Sequence, residues 1–204
     1  KELVAQALHS MSRRSTGPFV PINCAEVPNE LFESELFGHV RGAFTGAERT
    51  RPGLLAKASS GTLFLDEVGD MSPENQARLL RVVEDGIYRP VGNDDELHAD
   101  VRFFAATNRE LRDESFRNDL YHRLAGIVLV APPLRMRRSD IPVLAQHLLD
   151  HFCAENDVID VHLSPEAAEF LRAQDWPGNV RQLRNCIERS AYAVRNGDIS
   201  AALV

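Results

Sequence analysis

The chain has 204 residues, 44% of them hydrophobic and 26% charged, with 12 Gly and 11 Pro; this fits one ordinary globular domain plus at most a small companion and excludes collagen-like, low-complexity and disordered chains. Acidic residues number 30 against 23 basic, a net charge of −7, which argues against the whole chain acting as an electrostatic nucleic-acid binder and leaves any DNA contact to a local patch or to a segment outside it. The longest apolar stretch, residues 127–134, is broken by Pro132 and Pro133 and falls far short of the roughly 20 residues of a membrane span; three cysteines (Cys24, Cys153, Cys186) without Cys-x-x-Cys spacing point away from disulfides or zinc and toward a reducing cytoplasm.

In chain order, residues 2–11 read as an amphipathic helix with Leu3, Val4, Ala7, Leu8 and Met11 on one face. Residue 1 is Lys, with no capping loop or leader before the helix, so the pattern predicts a preceding segment that has been cut away. Phe19-Val20-Pro21-Ile22-Asn23 is a short β-rich run in which Pro21 argues against a central strand. Residues 62–65, 101–105 and 127–130 are nearly continuous apolar runs, as expected of parallel strands covered on both faces. Ser72-Pro73-Glu74 supplies an N-cap, a first-turn Pro and an early acid, followed by Leu79, Leu80, Val83 and Ile87 at helical spacing. This alternation predicts an α/β unit, a three-layer αβα sandwich around a parallel sheet, over residues 1–137. From Ser139 onward the strands stop and three helical patterns follow, carried by Ile141/Leu144/Ala145/Leu148/Phe152, by Ser164-Pro165-Glu166 through Leu171, and by Val180/Leu183/Ile187/Val194. A small all-helical unit is therefore expected over residues 138–204.

Gly61-Thr62-Leu63-Phe64-Leu65-Asp66-Glu67 is a hydrophobic strand ending in two adjacent carboxylates. Two negative charges at the end of a buried strand are unfavourable unless a cation or substrate compensates them. A magnesium nucleotide compensates both, and a solvated strand end is the plainer alternative. Gly42-Ala43-Phe44-Thr45-Gly46-Ala47 brackets one aromatic between two glycines. Taken alone it is a surface loop tip, with glycines for positive φ and Phe44 folded back onto the core. Arg117 and Arg123 are six residues apart, about 240° around a continuous helix, so one helix would not aim both at one phosphate; local pairing would join Arg123 to Asp119 and Arg117 to Glu114. Arg181 lies in the first turn after a Gly178 or Asn179 cap, where a cation opposes the helix dipole by roughly 0.3–1 kcal/mol, a cost that a phosphate or solvent would offset. His147 and His151 have an i,i+4 spacing that can bind zinc but lack a third ligand nearby. Arg135, Arg137 and Arg138 form a small basic cluster that fits a solvated hinge or a subunit contact.

The string Gly42–Ala47, with Glu33-Ser34-Glu35-Leu36-Phe37-Gly38-His39 ahead of it, resembles the signature loop of the AAA+ activators of sigma-54 RNA polymerase, the part of that family that touches sigma-54. The resemblance runs along almost the whole chain. Lys1-Glu2 opening a helix looks like the end of a Walker A motif whose glycine-rich loop would lie upstream, which implies a nucleotide-binding role for Lys1 and Glu2. Asn23 matches the asparagine that restrains the catalytic glutamate, here Glu67, and Asp66 the acid that holds Mg2+ through water. Thr107-Asn108 matches sensor I, Phe116-Arg117-Asn118-Asp119-Leu120-Tyr121-His122-Arg123-Leu124 the arginine-finger segment, and Trp176-Pro177-Gly178-Asn179-Val180-Arg181-Gln182-Leu183 the sensor II motif. Val40-Arg41 and Met136 depart from the charges usual there, which leaves the tuning of the loop open.

The resemblance implies an ATPase with ATP and Mg2+ as cofactors. Asp66 would sit on magnesium and Glu67 would polarise water, with Asn108 sensing the γ-phosphate. Arg117 and Arg123 would act in trans within a homo-oligomeric ring of six or seven subunits, and Arg181 from the lid. Gly42, Ala43, Phe44, Thr45, Gly46 and Ala47 would contact sigma-54, with DNA met only through a domain outside this chain, in the cytoplasm and away from membranes. Another AAA+ remodelling ATPase acting on a different client, or a catalytically incompetent fragment without its phosphate-binding loop, are the alternatives.

Overall fold

The computed structural model describes residues 1–111, 115–156, 158, 161–194 and 197–204. The chain divides into two compact units, Lys1–Leu129 and Val130–Val204.

The first unit holds α1 (Glu2–Ser10), β1 (Phe19–Asn23), α2 (Asn29–Phe37), β2 (Gly38–His39), β3 (Arg51–Pro52), α3 (Leu54–Lys57), β4 (Thr62–Asp66), α4 (Pro73–Asp85), β5 (Ile87–Tyr88), β6 (Leu97–His98), β7 (Arg102–Ala105) and α5 (Asn118–Leu124). Its centre is a parallel sheet in the order β1-β4-β7. The central strand β4 is buried from Thr62 through Leu65, as its unbroken apolar run requires. Pro21 is accommodated because β1 pairs on one side only and Pro21 is exposed. In register, Asn23 lies opposite Asp66 and Leu65 opposite Ala105. All three strands therefore end together, and the loops after them share one edge. Phe32, Leu36, Leu63, Leu65, Leu79 and Leu120 lead the core.

Helix α1 turns Ala5 and His9 inward, not Leu3, Val4, Ala7, Leu8 and Met11, which are exposed. The reason is His9: its Nδ1 shares a 2.9 Å hydrogen bond with Thr62 Oγ1, and its ring lies 5.4 Å from that of Phe19. A satisfied polar pair fixes the helix's rotation where an apolar count does not. Residues 127–130 form no strand and are 63–85% exposed. A strand exists only through its hydrogen-bonded neighbour, and no described segment pairs with this run. Ile87 lies beyond α4, which Gly86 ends at φ 67°; Ile87 opens a hairpin strand paired to His98. Helix α4 itself begins as expected, with the Ser72 side chain accepting the Asn75 N–H and Pro73 following.

The second unit contains α6 (Ile141–Asn156), β8 (Val161–Leu163), α7 (Pro165–Ala173), α8 (Asn179–Val194) and β9 (Gly197–Ile199). The three helices fall on the expected patterns, around Ile141, Leu149, Leu171, Leu183 and Ile187. The unit is not all helical: β8 and β9 pair in parallel, with Val161 and Ile199 buried. Three-residue strands are too short to show a period. Residues 130–137, placed with the αβα unit in the sequence reading, belong with the second unit, because Leu134 is fully buried in its core and donates its N–H to Asn179 Oδ1 at 2.9 Å.

Candidate functional site

The shared carboxyl edge of β1, β4 and β7 collects the predicted residues. Beyond Asp66 the backbone turns sharply, with Glu67 in the left-handed region at φ 51°, ψ 47°. A non-glycine residue there is strained, and such strain collects at functional positions. The turn is held by the Glu67 N–H donating to Asp66 Oδ1 at 3.0 Å and the Val68 N–H to the Ala106 carbonyl at 2.9 Å. It points the Glu67 carboxylate at two donors: Lys1 Nζ lies 2.8 Å from Oε1, and the Asn108 N–H donates to Oε2 at 3.0 Å. Burial opposes ionisation of Glu67, but hydrogen bonds from Lys1 and Asn108, with the charges of Lys1 and Arg109, outweigh it and hold the carboxyl below its usual pKa. Glu67 is thus ionised and aimed at neutral pH.

The neighbouring field is negative. Cys24, buried beside the edge, has its thiol pushed up to about 12, first by burial and then by the charges of Asp66, Asp70 and Glu67. A cysteine so placed is not a nucleophile; of the three carboxylates Glu67 is paired with Lys1 and Asp70 with Arg109, and among the described residues no three His, Cys, Asp or Glu side chains are grouped to hold a metal ion. Asp70 pairs with Arg109, whose N–H donates to Thr107 Oγ1 at 3.0 Å. Thr107 therefore orders the turn after β7, while the Asn108 side chain is exposed.

Asn23 stands at this edge but its amide is engaged elsewhere: Nδ2 donates to Glu26 at 2.7 Å and Oδ1 accepts the Ala25 N–H. The expected contact with Glu67 is replaced here by those from Lys1 and Asn108. Glu2 begins α1 and accepts a hydrogen bond from Gln6; it does not join the edge cluster.

The two arginines pair differently from the local expectation. Arg117 precedes α5 at its N-cap with extended backbone, and its guanidinium forks onto Asp119 at 3.1 and 2.7 Å. Arg123 donates to Glu84 on α4 at 2.9 Å. Glu114 lies outside the described residues. Sequence reading missed Gln76, fully buried on α4, which accepts the Arg117 N–H at 2.9 Å and donates to the carbonyls of Met71 and Ser115. It pins the start of the arginine segment. A polar residue at an inward helical position of α4 was its only sequence signal.

The Gly42–Ala47 loop rises between β2 and β3. Gly42 and Gly46 adopt φ of 82° and 102°, and the loop closes through the Gly42 N–H to the Ala47 carbonyl at 2.8 Å and the Ala47 N–H to the Phe44 carbonyl at 3.0 Å. Thr45 is exposed, Ala47 is buried, and Phe44 is 39% exposed. At the base, Gly38 and Gly53 approach so closely that a Cβ on either would lie within 2.5 Å of the other's backbone nitrogen. A second stretch the sequence reading passed over supports the loop: the Val40 N–H donates to the Val91 carbonyl at 3.1 Å and the Val91 N–H to the Gly38 carbonyl at 2.8 Å. Its Pro90-Val91-Gly92 turn signal was available.

In the second unit, Arg181 is exposed in the first turn of α8 and makes no hydrogen bond or ion pair among the described residues. Asn179, at φ 49°, takes up the Leu134 N–H. His147 and His151 are both exposed, and His151 pairs with Glu155.

A parallel sheet with an acidic strand end, a lysine on the carboxylate that follows it and a mainly helical second unit have the organisation of a AAA+ module. Residues 1–130 match the sigma-54 interaction domain and residues 135–204 the AAA+ ATPase lid domain; the chain belongs to the sigma-54 interaction domain family. It is 48% identical over 205 residues to regulatory protein AtoC of Escherichia coli, covering 98% of this chain and 44% of that protein. Transcriptional regulatory protein ZraR of Salmonella typhimurium is 48% identical over 204 residues, covering 98% and 46%. The structure of NtrX from Brucella abortus in complex with ATP superposes with a TM-score of 0.90 at 36% identity, covering all of this chain and 46% of that one. The chain thus spans less than half the length of these relatives. No helix among the described residues is long and apolar enough to cross a membrane.

Proposed function

We propose that this chain is the central ATPase domain of a sigma-54-dependent transcriptional activator, using ATP hydrolysis to drive the Gly42–Ala47 loop against sigma-54 and remodel the closed promoter complex. The observation that carries this reading is Glu67: a strained, ionised carboxylate at a buried strand's end, aimed by Lys1 and Asn108. A carboxylate so placed accepts hydrogen bonds from an attacking water and orients it. Lys1 would exchange its carboxylate partner for the β- and γ-phosphates, and Asn108 would read the γ-phosphate. Asp66 fits the Mg2+ role, since it lies beside Glu67 in the negative field that raises the Cys24 thiol. Bound there, the ion would neutralise charge on the phosphates. Arg117 and Arg123 would reach the nucleotide of an adjoining subunit in a homo-oligomeric ring of six or seven copies, and Arg181 would contribute to nucleotide binding. DNA would be met by another domain of the longer protein, in the cytoplasm.

The test uses full-length protein and two assays on the same samples, phosphate release and capture of purified sigma-54 with ADP-aluminium fluoride. Glu67→Gln should retain ATP binding and lose turnover by about 10²–10⁴-fold. Thr45→Ala should hydrolyse within a few-fold of wild type yet capture no sigma-54. Capture of sigma-54 by Thr45→Ala at wild-type affinity would favour a AAA+ machine with a different client.

A further inference from the structure

We propose that His39 is a positioning residue for the loop: its ring seats Phe44 and sets how readily that side chain is presented to a protein partner. The proposal rests on the reading above that this loop is the contact with sigma-54. His39 is fixed by three independent restraints. Its backbone pairs with Arg51 across β2 and β3 and bridges to Val91. Its Nδ1 shares a 2.7 Å hydrogen bond with Ser34 Oγ on α2. The ring is therefore a fixed surface beneath Phe44.

The Phe44 and His39 rings meet edge to face, with ring centroids 5.0 Å apart and planes at 68°. This is the attractive arrangement, in which the positive edge of one ring meets the negative face of the other. Gly42 and Gly46 flank Phe44 with nothing within 4 Å of where a Cβ would stand on either, and Phe44 is 39% exposed, whereas Ala43 packs against Gly92; the Phe44 side chain has room to leave the ring while the stem of the loop stays packed. Two populations follow, one seated on His39 and one presented, and the ring contact biases them toward the seat by roughly two- to tenfold. An apolar pocket on the partner competes with His39 for the Phe44 ring, so binding is opposed until the seat is given up. Ser34, which orients His39, links this bias to α2, the helix that follows Asn23 and Glu26.

The experiment places 4-fluorophenylalanine at position 44 of the full-length protein and follows its fluorine resonance. His39→Ala should move the resonance toward the solvent-exposed position, Ser34→Ala should move it part of the way, and His39→Phe, which restores a ring, should leave it near wild type. Sigma-54 capture in ADP alone should rise two- to tenfold in His39→Ala, with ATP turnover unchanged within twofold. An unmoved resonance in a folded His39→Ala overturns the proposal; if that variant does not fold, an unmoved resonance in Ser34→Ala does so. A resonance that moves while the wild type itself captures no sigma-54 upholds the seat and removes the partner reading instead.

Discussion

Asn23 and Glu26 form a side-chain hydrogen bond of 2.7 Å at the carboxyl edge of the sheet, one turn ahead of α2 and across from Asp66. The Asn23 amide carries two N–H donors, but one rotamer aims them, so turning the amide to Glu26 and turning it to Glu67 are competing arrangements. Glu26→Ala should release Asn23 and change ATP turnover by about three- to tenfold, and the change should vanish in the Asn23→Ala background, as expected for coupled neighbours. Equal effects of Glu26→Ala in both backgrounds would show that the two side chains are energetically independent.

The depressed pKa of Glu67 makes a statement about acid stability. A group whose folded pKa lies below its unfolded value stabilises the fold above the ordinary carboxylate range and loses that contribution as pH falls through the folded pKa. Urea unfolding of wild type and Glu67→Gln should therefore differ by a constant amount from about pH 8 to about pH 5.5, and the difference should shrink below about pH 4. A difference that widens on acidification would contradict the charge assignment.

The arginines carry a prediction that separates catalysis from folding. Both of their ion pairs, Arg117 with Asp119 and Arg123 with Glu84, are substantially exposed, so Arg117→Ala and Arg123→Ala should unfold near the wild-type midpoint. Turnover should nonetheless fall by about 10³–10⁵-fold, the range for a lost arginine finger. Mixing either variant with Glu67→Gln protein should restore hydrolysis at mixed interfaces; mixed rings without recovery would place both arginines in their own subunit.

Gln76 offers the contrasting case, a residue whose loss is structural. Gln76→Leu keeps the volume but strands the Arg117 N–H and the carbonyls of Met71 and Ser115. Leaving buried groups unpaired costs about 1–3 kcal/mol each, so chemical denaturation should show a loss of at least about 2 kcal/mol. An unchanged midpoint would mean that water replaces the amide.

The residues legible in the sequence are those whose signal is local. The run from Thr62 to Asp66 could be read because burial on both faces demands uninterrupted apolar residues, and the Ser72 cap because a hydroxyl, a proline and an acid act within one turn. His9 and Gln76 were missed because each is inside through partners distant in sequence, Thr62 in one case and Ser115 and the Arg117 backbone in the other. Residues 127–130 have the composition of a strand without a paired neighbour among the described residues. The partner of Asn23 depends on a side-chain rotamer, which no spacing rule encodes. The roles of Arg117, Arg123 and Arg181 came from family resemblance; the pairing of Arg123 with Glu84 came from tertiary structure, while Arg117 pairs locally with Asp119.

The glycine pair at the base of the loop turns it into a lever with a fixed fulcrum. Because the backbones of Gly38 and Gly53 already touch, residues 39–52 leave the fold through a throat that has no side chains to compress. Displacement at the tip cannot be absorbed by slack there and passes instead to α2 on one stem and α3 on the other. A push on the loop is then felt by α2, by α3 and by the turn at Val91 that bonds to Gly38 and Val40, and elongating the tip would lengthen its stroke while leaving the hinge unaltered.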